Sequence, residues 1–298
     1  VSRNRADGPD GLVVIAKEAG WTSHDVVAKA RGILKTRKIG HSGTLDPDAT
    51  GVLLLGVGKM TRVLKYLTGL SKTYTCEIVL GAETTTLDDS GDVVATYDMS
   101  SVTFAQLKEA SQQFVGDIMQ VPPMVSAIKV DGKRLHELAR QGIEVERKAR
   151  PVTVYSFELQ PTSDDNIVRA TIHCSSGTYI RSLAADLGKA VGGGAHIRSL
   201  CRDSIGSFSL DQAVTLEQLK PEHLLTPAAA MRDWVQVIAS DDDVVAVSHG
   251  RFLPIDDRFH GSGPWAVCDS TGRLLAMYEQ KTDELAKPSV VISAADGR

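Results

Sequence analysis

The chain has 298 residues, 33 lysines and arginines against 37 aspartates and glutamates, four cysteines and 42% hydrophobic residues. That length fits one large or two unequal domains with a sizeable core. No apolar run approaches the ~20 residues that cross a bilayer, and the polar first ten residues lack the apolar stretch of a secretion signal. Cys76, Cys174, Cys201 and Cys268 stand far apart without zinc-like spacing, so they read as reduced, buried thiols of a cytoplasmic protein. The net charge of −4 argues against a polyanionic partner until it is divided along the chain. Residues 31–74 carry +6, residues 129–151 carry +3, and residues 211–298 carry −6. A charge run alone is most often a solvated face, so this asymmetry needs chemistry beside it.

In chain order, residues 11–16 (GLVVIA) read as a buried strand, and Gly20-Trp-Thr-Ser23 starts a helix over 25–34 with Ser23 as its N-cap. Residues 38–47 are too rich in glycine and turn formers for a helix, so a loop presents Asp46. A helix follows over 61–67. Residues 74–80 alternate as a strand, 84–91 form a polar loop, and 103–114 have helical spacing after a threonine cap. Strands are expected at 151–159 and 167–174, then a helix over 179–188 ending at Gly188, then a strand over 199–209. Strands and helices without regular alternation favour an α+β fold with a mixed α/β sheet. Beyond residue 230, short strand candidates at 244–248, 265–269 and 274–278 read as a small β-barrel or β-sandwich appendage.

Asp46 precedes Pro47 and lies between Gly43 and Gly51 on the basic segment, where a carboxylate could be held out on a rigid turn. An Asp-Pro dipeptide by itself is usually only a turn. Gly56-Val-Gly-Lys-Met-Thr61 looks like the end of a phosphate-binding loop, but Met60 stands where that motif needs Ser or Thr. A glycosidase needs a second carboxylate across a sugar, and Asp48, Asp88, Asp89 and Asp186 are equally open candidates.

The whole stretch Gly40-His-Ser-Gly-Thr-Leu-Asp-Pro-Asp-Ala-Thr-Gly-Val-Leu54 closely resembles the G-H-x-G-x-L-D-P-x-A-x-G-x-L signature of the TruB-type pseudouridine synthases, which isomerise uridine 55 in the T-loop of tRNA. Lys72-Thr-Tyr74 is similar to the family's K-x-Y element, residues 84–91 (TTTLDDSG) to its T-x-T-x-D-x-x-G loop, and residues 120–129 (QVPPMVSAIK) to its Q-x-P-P-x-x-S-A-x-K element. Residues 176–183 (SGTYIRSL) and 194–200 (GAHIRSL) follow in the family's order, so the resemblance spans about 11–210. The family's first motif usually reads K-P-x-G-x-[TS]-S. Here Glu18 replaces the proline of Lys17-Glu-Ala-Gly-Trp-Thr-Ser23, and Thr85 replaces a common acidic residue of the later loop.

The resemblance implies a cofactor-free isomerase: a pseudouridine synthase catalytic domain over 1–230, with an RNA-clamping thumb at about 122–151, and a small all-β PUA-like RNA-binding domain over 235–298. It makes Asp46 the essential carboxylate, Arg181 its cationic partner, and Tyr74 the ring that stacks on the target base. It implies that His41 fills the space left by the flipped nucleotide, that Tyr179 and Leu200 line the pocket, and that Asp88 lies near the flipped nucleotides. Lys129, Lys133, Arg134, Arg140, Arg147 and Lys148 are expected to meet RNA phosphates. The expected partner is the tRNA T-arm stem-loop, with no membrane and with the protein a monomer. The competing class is a non-catalytic RNA-binding or tRNA-folding protein on the same scaffold.

Overall fold

A computed structural model describes residues 8–124, 129–130, 133–134 and 145–292. Two apolar runs, β1 (Gly11–Lys17) and β3 (Thr50–Val57), pair antiparallel over seven residues, and the short β2 (Ile39–His41) adds to β3. β4 (Lys72–Leu80) alternates strictly between buried and half-buried positions, as its sequence pattern demands. A hairpin of β5 (Ala82–Thr84) and β6 (Val93–Thr96) precedes β7 (Gly116–Gln120), and β8 (Lys129–Val130) pairs with β9 (Lys133–Arg134). β10 (Arg150–Pro161), β11 (Ile167–Cys174), β12 (Ala195–Ile205) and β13 (Phe208–Ser209) complete the large sheet. Its main order is β1-β3-β12-β4-β11-β10-β7, with β2 on β3 and β13 on β12. β12 lies parallel to β3 and antiparallel to β4, so it joins the two halves of a mixed sheet.

Helices α1 (Ser23–Ile33), α2 (Leu64–Gly69), α3 (Phe104–Gln112) and α4 (Ile180–Ala190) pack on this sheet. Leu107 and Ala110 of α3 and Leu183, Ala184 and Leu187 of α4 cover the inward face of β4, β10 and β11. Val26, Val27 and Ala30 of α1 cover one face of β1 and β3. Gly188 does not end α4. It lies inside the helix, where an added Cβ would stand 2.5 Å from the Ala195 nitrogen, so its missing side chain lets α4 pack closely on β12. Ser23 is not the cap of α1 either: Thr22 takes that role in a reciprocal capping box with Asp25.

After the short α5 (Pro227–Ala230), a second sheet forms from β14 (Val235–Ile238), β15 (Leu253–Pro254), β16 (Trp265–Cys268), β17 (Leu274–Gln280) and β18 (Leu285–Val291), in the order β14-β16-β17-β18-β15. The expected strand at 244–248 is instead part of helix α6 (Asp241–Ser248), so this region is not all-β. Ser240 caps the helix, and Asp241, Asp242 and Asp243 fill its first turn, where the helix dipole favours negative charge; these end signals outweigh the β-branched valines. Ala266, Cys268 and Met277 of this sheet share a core with Leu12, Leu54 and Met60. No helix among the described residues is long and apolar enough to cross a membrane.

Candidate active site

Asp46 sits on the loop between β2 and β3, and three buried side chains fix that loop through its backbone. Lys17, at the end of β1, donates from Nζ to the carbonyls of Pro47 (2.9 Å), Ala49 (2.6 Å) and Glu18 (2.9 Å). Ser23 Oγ accepts from Leu45 N–H at 2.9 Å and lies 3.2 Å from the Leu45 carbonyl. Arg202 of β12 donates from Nε to Val52 O (2.8 Å) and from its terminal nitrogens toward Gly43 O (3.3 Å) and Thr44 O (3.5 Å). Glu18, standing where the family has proline, is exposed and takes part through its carbonyl, so the substitution leaves the Lys17 bracket intact.

Arg181 enters at the first turn of α4. Its terminal nitrogens lie 3.0 Å from Asp46 Oδ2 and 3.4 Å from Asp88 Oδ2, and it also donates to Thr86 O at 2.8 Å. Asp88 is held from behind, because its Oδ1 accepts from Thr86 Oγ1 at 2.6 Å and from Ser90 N–H at 3.1 Å. Burial pushes the Asp46 carboxyl above the usual carboxylate range; Arg181 is the largest opposing influence, and Asp88 adds to the upward push. Burial also raises the Tyr74 phenol, against the pull of Arg202. Lys17 and Lys72 are both brought down to about 8 by burial. Lys72 Nζ donates to the Thr68 (2.8 Å) and Leu70 (2.5 Å) carbonyls, where a cation satisfies the end of α2.

A cleft of about 400 Å³ opens here, and Asp46, Tyr74, Tyr179, Arg181 and Leu200 all contribute to its wall. A second cleft of about 480 Å³ shares Asp46, Arg181 and Leu200 with the first and is also lined by Asp88 and Asp89. Five of the seven expected catalytic and substrate-binding residues therefore share one cavity, and Asp88 reaches it through Arg181. His41 does not line either cleft. It stands half-buried near the loop's start, edge-on to His24 with ring centroids 5.3 Å apart, and burial lowers its pKa. Tyr179 is clamped by buried Gln120, which accepts from its N–H (2.8 Å) and donates to its carbonyl (3.0 Å). Of the expected phosphate-binding residues, Arg140 lies outside the described residues. Lys129, Lys133 and Arg134 are described by their strands alone. Arg147 donates to Pro122 O at 3.0 Å, and Lys148 is exposed.

Sequence reasoning missed Arg202 and Gln120 as members of the site, and Ser42 as well. Ser42 lines the first cleft, and its buried Oγ has no hydrogen-bond partner in the protein. Arg202 lies two residues beyond the 194–200 element, and a basic residue in a strand gives no sign that its targets are carbonyls. Among the described residues, no cluster of His, Cys, Asp and Glu could hold a metal ion.

Residues 31–180 match the family of TruB family pseudouridylate synthases (N terminal domain), and residues 181–236 match the tRNA pseudouridylate synthase B C-terminal domain. The chain is 46% identical over 248 residues to tRNA pseudouridine synthase B of Arthrobacter sp. (strain FB24), covering 81% of each chain. It is 45% identical over 287 residues to tRNA pseudouridine synthase B of Streptomyces coelicolor, covering 91% of this chain and 94% of the relative. Among solved structures, a Cbf5-Nop10-Gar1 complex contains a similar chain, with a TM-score of 0.76 and 26% identity over 96% of this chain and 86% of the other. With its signature loop, paired Asp46 and Arg181 and two matching domains, the chain belongs to the TruB family of pseudouridine synthases.

Proposed function

We propose that the chain converts uridine 55 in the T-loop of tRNA to pseudouridine, in the cytoplasm and as a monomer, with Asp46 as the essential carboxylate. The observation that carries this reading is the Asp46–Arg181 pair at the wall of a cleft that also contains Tyr74, Tyr179 and Leu200. The reaction cleaves the bond between uracil N1 and ribose C1′, turns the base and rejoins it through C5, which loses its proton while N1 gains one, with no net redox change. It needs an anionic group at the sugar or base, a pocket that retains the detached uracil, and exclusion of water. Asp46 supplies the anion, and Arg181 keeps it ionised against burial. Tyr74 stacks on the base, where an aromatic face contributes ~1–3 kcal/mol, and Tyr179 and Leu200 close the pocket.

A uridine in a folded T-loop must leave its stack to reach Asp46, and His41, outside the cleft beside the loop's start, fills the vacated space. Asp88 acts on the reaction through Arg181. The basic segment with Lys129, Lys133, Arg134, Arg140, Arg147 and Lys148 clamps RNA phosphates, which makes binding salt-dependent. The second sheet, from Val235 onward, serves as a PUA-like RNA-binding unit.

Asp46→Asn tests the assignment. It abolishes pseudouridine formation on a T-arm stem-loop while RNA binding stays largely intact. Substantial turnover by this variant rules out Asp46 as the essential group, and a wild-type chain that binds the stem-loop without forming pseudouridine is a binding protein on this scaffold.

A further inference from the structure

We propose that Arg202 is a positioning residue for this reaction, a buried side chain that holds the Asp46 loop against the strand position paired with Tyr74; the inference rests on the functional reading above. Arg202 is 1% exposed, which makes it one of the largest fully buried side chains of the protein. Its hydrogen-bond partners are the carbonyls of Val52, Gly43 and Thr44, on either side of the Asp46 turn. Burying a guanidinium against neutral acceptors is costly, and such a group persists where its rigid fork of donors fixes several acceptors at once.

The sheet dictates this placement. Arg202 is the direct cross-strand partner of Tyr74 on the β12–β4 ladder and of Gly51 on the β12–β3 ladder. Gly51 has φ +110°, and an added Cβ would stand 2.2 Å from the Arg202 carbonyl oxygen, so the strands meet here without room for a side chain. The register of β12 against β4 slips just after Arg202, an irregularity that commonly re-aims a side chain beside an active site. Tyr74, the loop carrying Asp46 and Arg202 all line the first cleft. Arg202 thus sets the spacing between carboxylate loop and aromatic ring, its guanidinium holding the loop and its backbone pairing with Tyr74. A lysine carries the charge but offers one nitrogen for these diverging acceptors.

The experiment compares wild type, Arg202→Ala and Arg202→Lys as full chains on a T-arm stem-loop. It measures the single-turnover rate, the RNA dissociation constant, the thermal midpoint, and the rate with millimolar guanidinium added. Displacing a reacting group by about 1 Å costs ~10²-fold, so Arg202→Ala loses ~10²-fold or more in rate while its dissociation constant changes less than ~3-fold. Arg202→Lys loses ~10-fold or more, and added guanidinium restores part of the Arg202→Ala rate. Folded variants that keep their rate within ~3-fold overturn the proposal. So does a loss that added guanidinium does not relieve and that follows the thermal midpoint, or one that appears wholly in RNA affinity. If Arg202→Ala does not fold, Arg202→Lys decides by the same rate and affinity criteria. An inactive wild type overturns the functional reading itself, which separates the two failures.

Discussion

Arg181 and Asp46 meet at 3.0 Å, but they are not equally enclosed: the arginine side chain is 5% exposed and the carboxylate 43%. The cation is the fixed member, anchored by Asp88 and Thr86 O, and the carboxylate faces the cleft. This asymmetry suits a pair in which one partner must be reached by substrate and the other must hold it charged.

The pair predicts a shift of the acid limb of the pH profile. Burial raises the Asp46 pKa and Arg181 opposes that rise, so Arg181→Met raises it further. With Asp46 proposed as the essential anion, activity is lost as pH falls through this pKa. The acid limb of the single-turnover rate therefore moves to higher pH in Arg181→Met, and the plateau falls ~10²–10³-fold, as on removal of a preorganised electrostatic group.

Lys17 predicts a pH-dependent contribution to stability and a loss of activity when it is removed. Its pKa is about 8 in the folded chain against 10.5 for the free side chain, so the unfolded chain binds more protons between these values. Stability owed to Lys17 therefore rises with pH across 8 to 10.5, and the margin of wild type over Lys17→Met shifts in wild type's favour over that window. Denaturant titrations at several pH values measure this. The same variant removes the bracket on Pro47 and Ala49, and pseudouridine formation slows ~10-fold or more.

Ser42→Ala is expected to stabilise the protein. The Ser42 hydroxyl is buried without a partner, and an unsatisfied polar group costs ~1–3 kcal/mol. Alanine removes the hydroxyl with little change of shape, so the unfolding free energy rises by about 1 kcal/mol in a denaturant titration.

Gly51→Ala is expected to destabilise the protein strongly. The new methyl group would meet the Arg202 backbone, and the positive φ adds strain of ~1–3 kcal/mol before any steric cost. A fall of the thermal midpoint, or loss of folded protein on expression, checks it.

Much of the scaffold was legible from periodicity: β4 alternates along its whole length, and the helix over 104–112 follows its threonine cap. That Asp46, Tyr74 and Arg181 share one cleft follows from a family signature that carries all three. What binds the site together was not legible, since Lys17, Ser23 and Arg202 act on carbonyl and amide groups, and every residue type presents those. A hydrogen bond to the main chain leaves no partner to read in the sequence. Ser23 fits the capping rule as well as its neighbour Thr22 does, but Thr22 takes the cap and the Ser23 hydroxyl holds Leu45. The valines at 244, 245 and 247 mislead for the converse reason: a local end signal decides the helix, while β-branching expresses only a preference.

The β3–β12 ladder has a consequence for synthesis. It joins Thr50 to Cys201 and Gly51 to Arg202, so the loop bearing Asp46 cannot acquire its final frame from the residues around it. During translation the N-terminal β1–β3 strand pair is complete by Val57, but the strand that seats beside it arrives about 150 residues later. Contacts so distant in sequence form slowly, because the intervening chain must be ordered first. A nascent chain stopped before β12 therefore carries the whole signature loop and has no assembled catalytic centre.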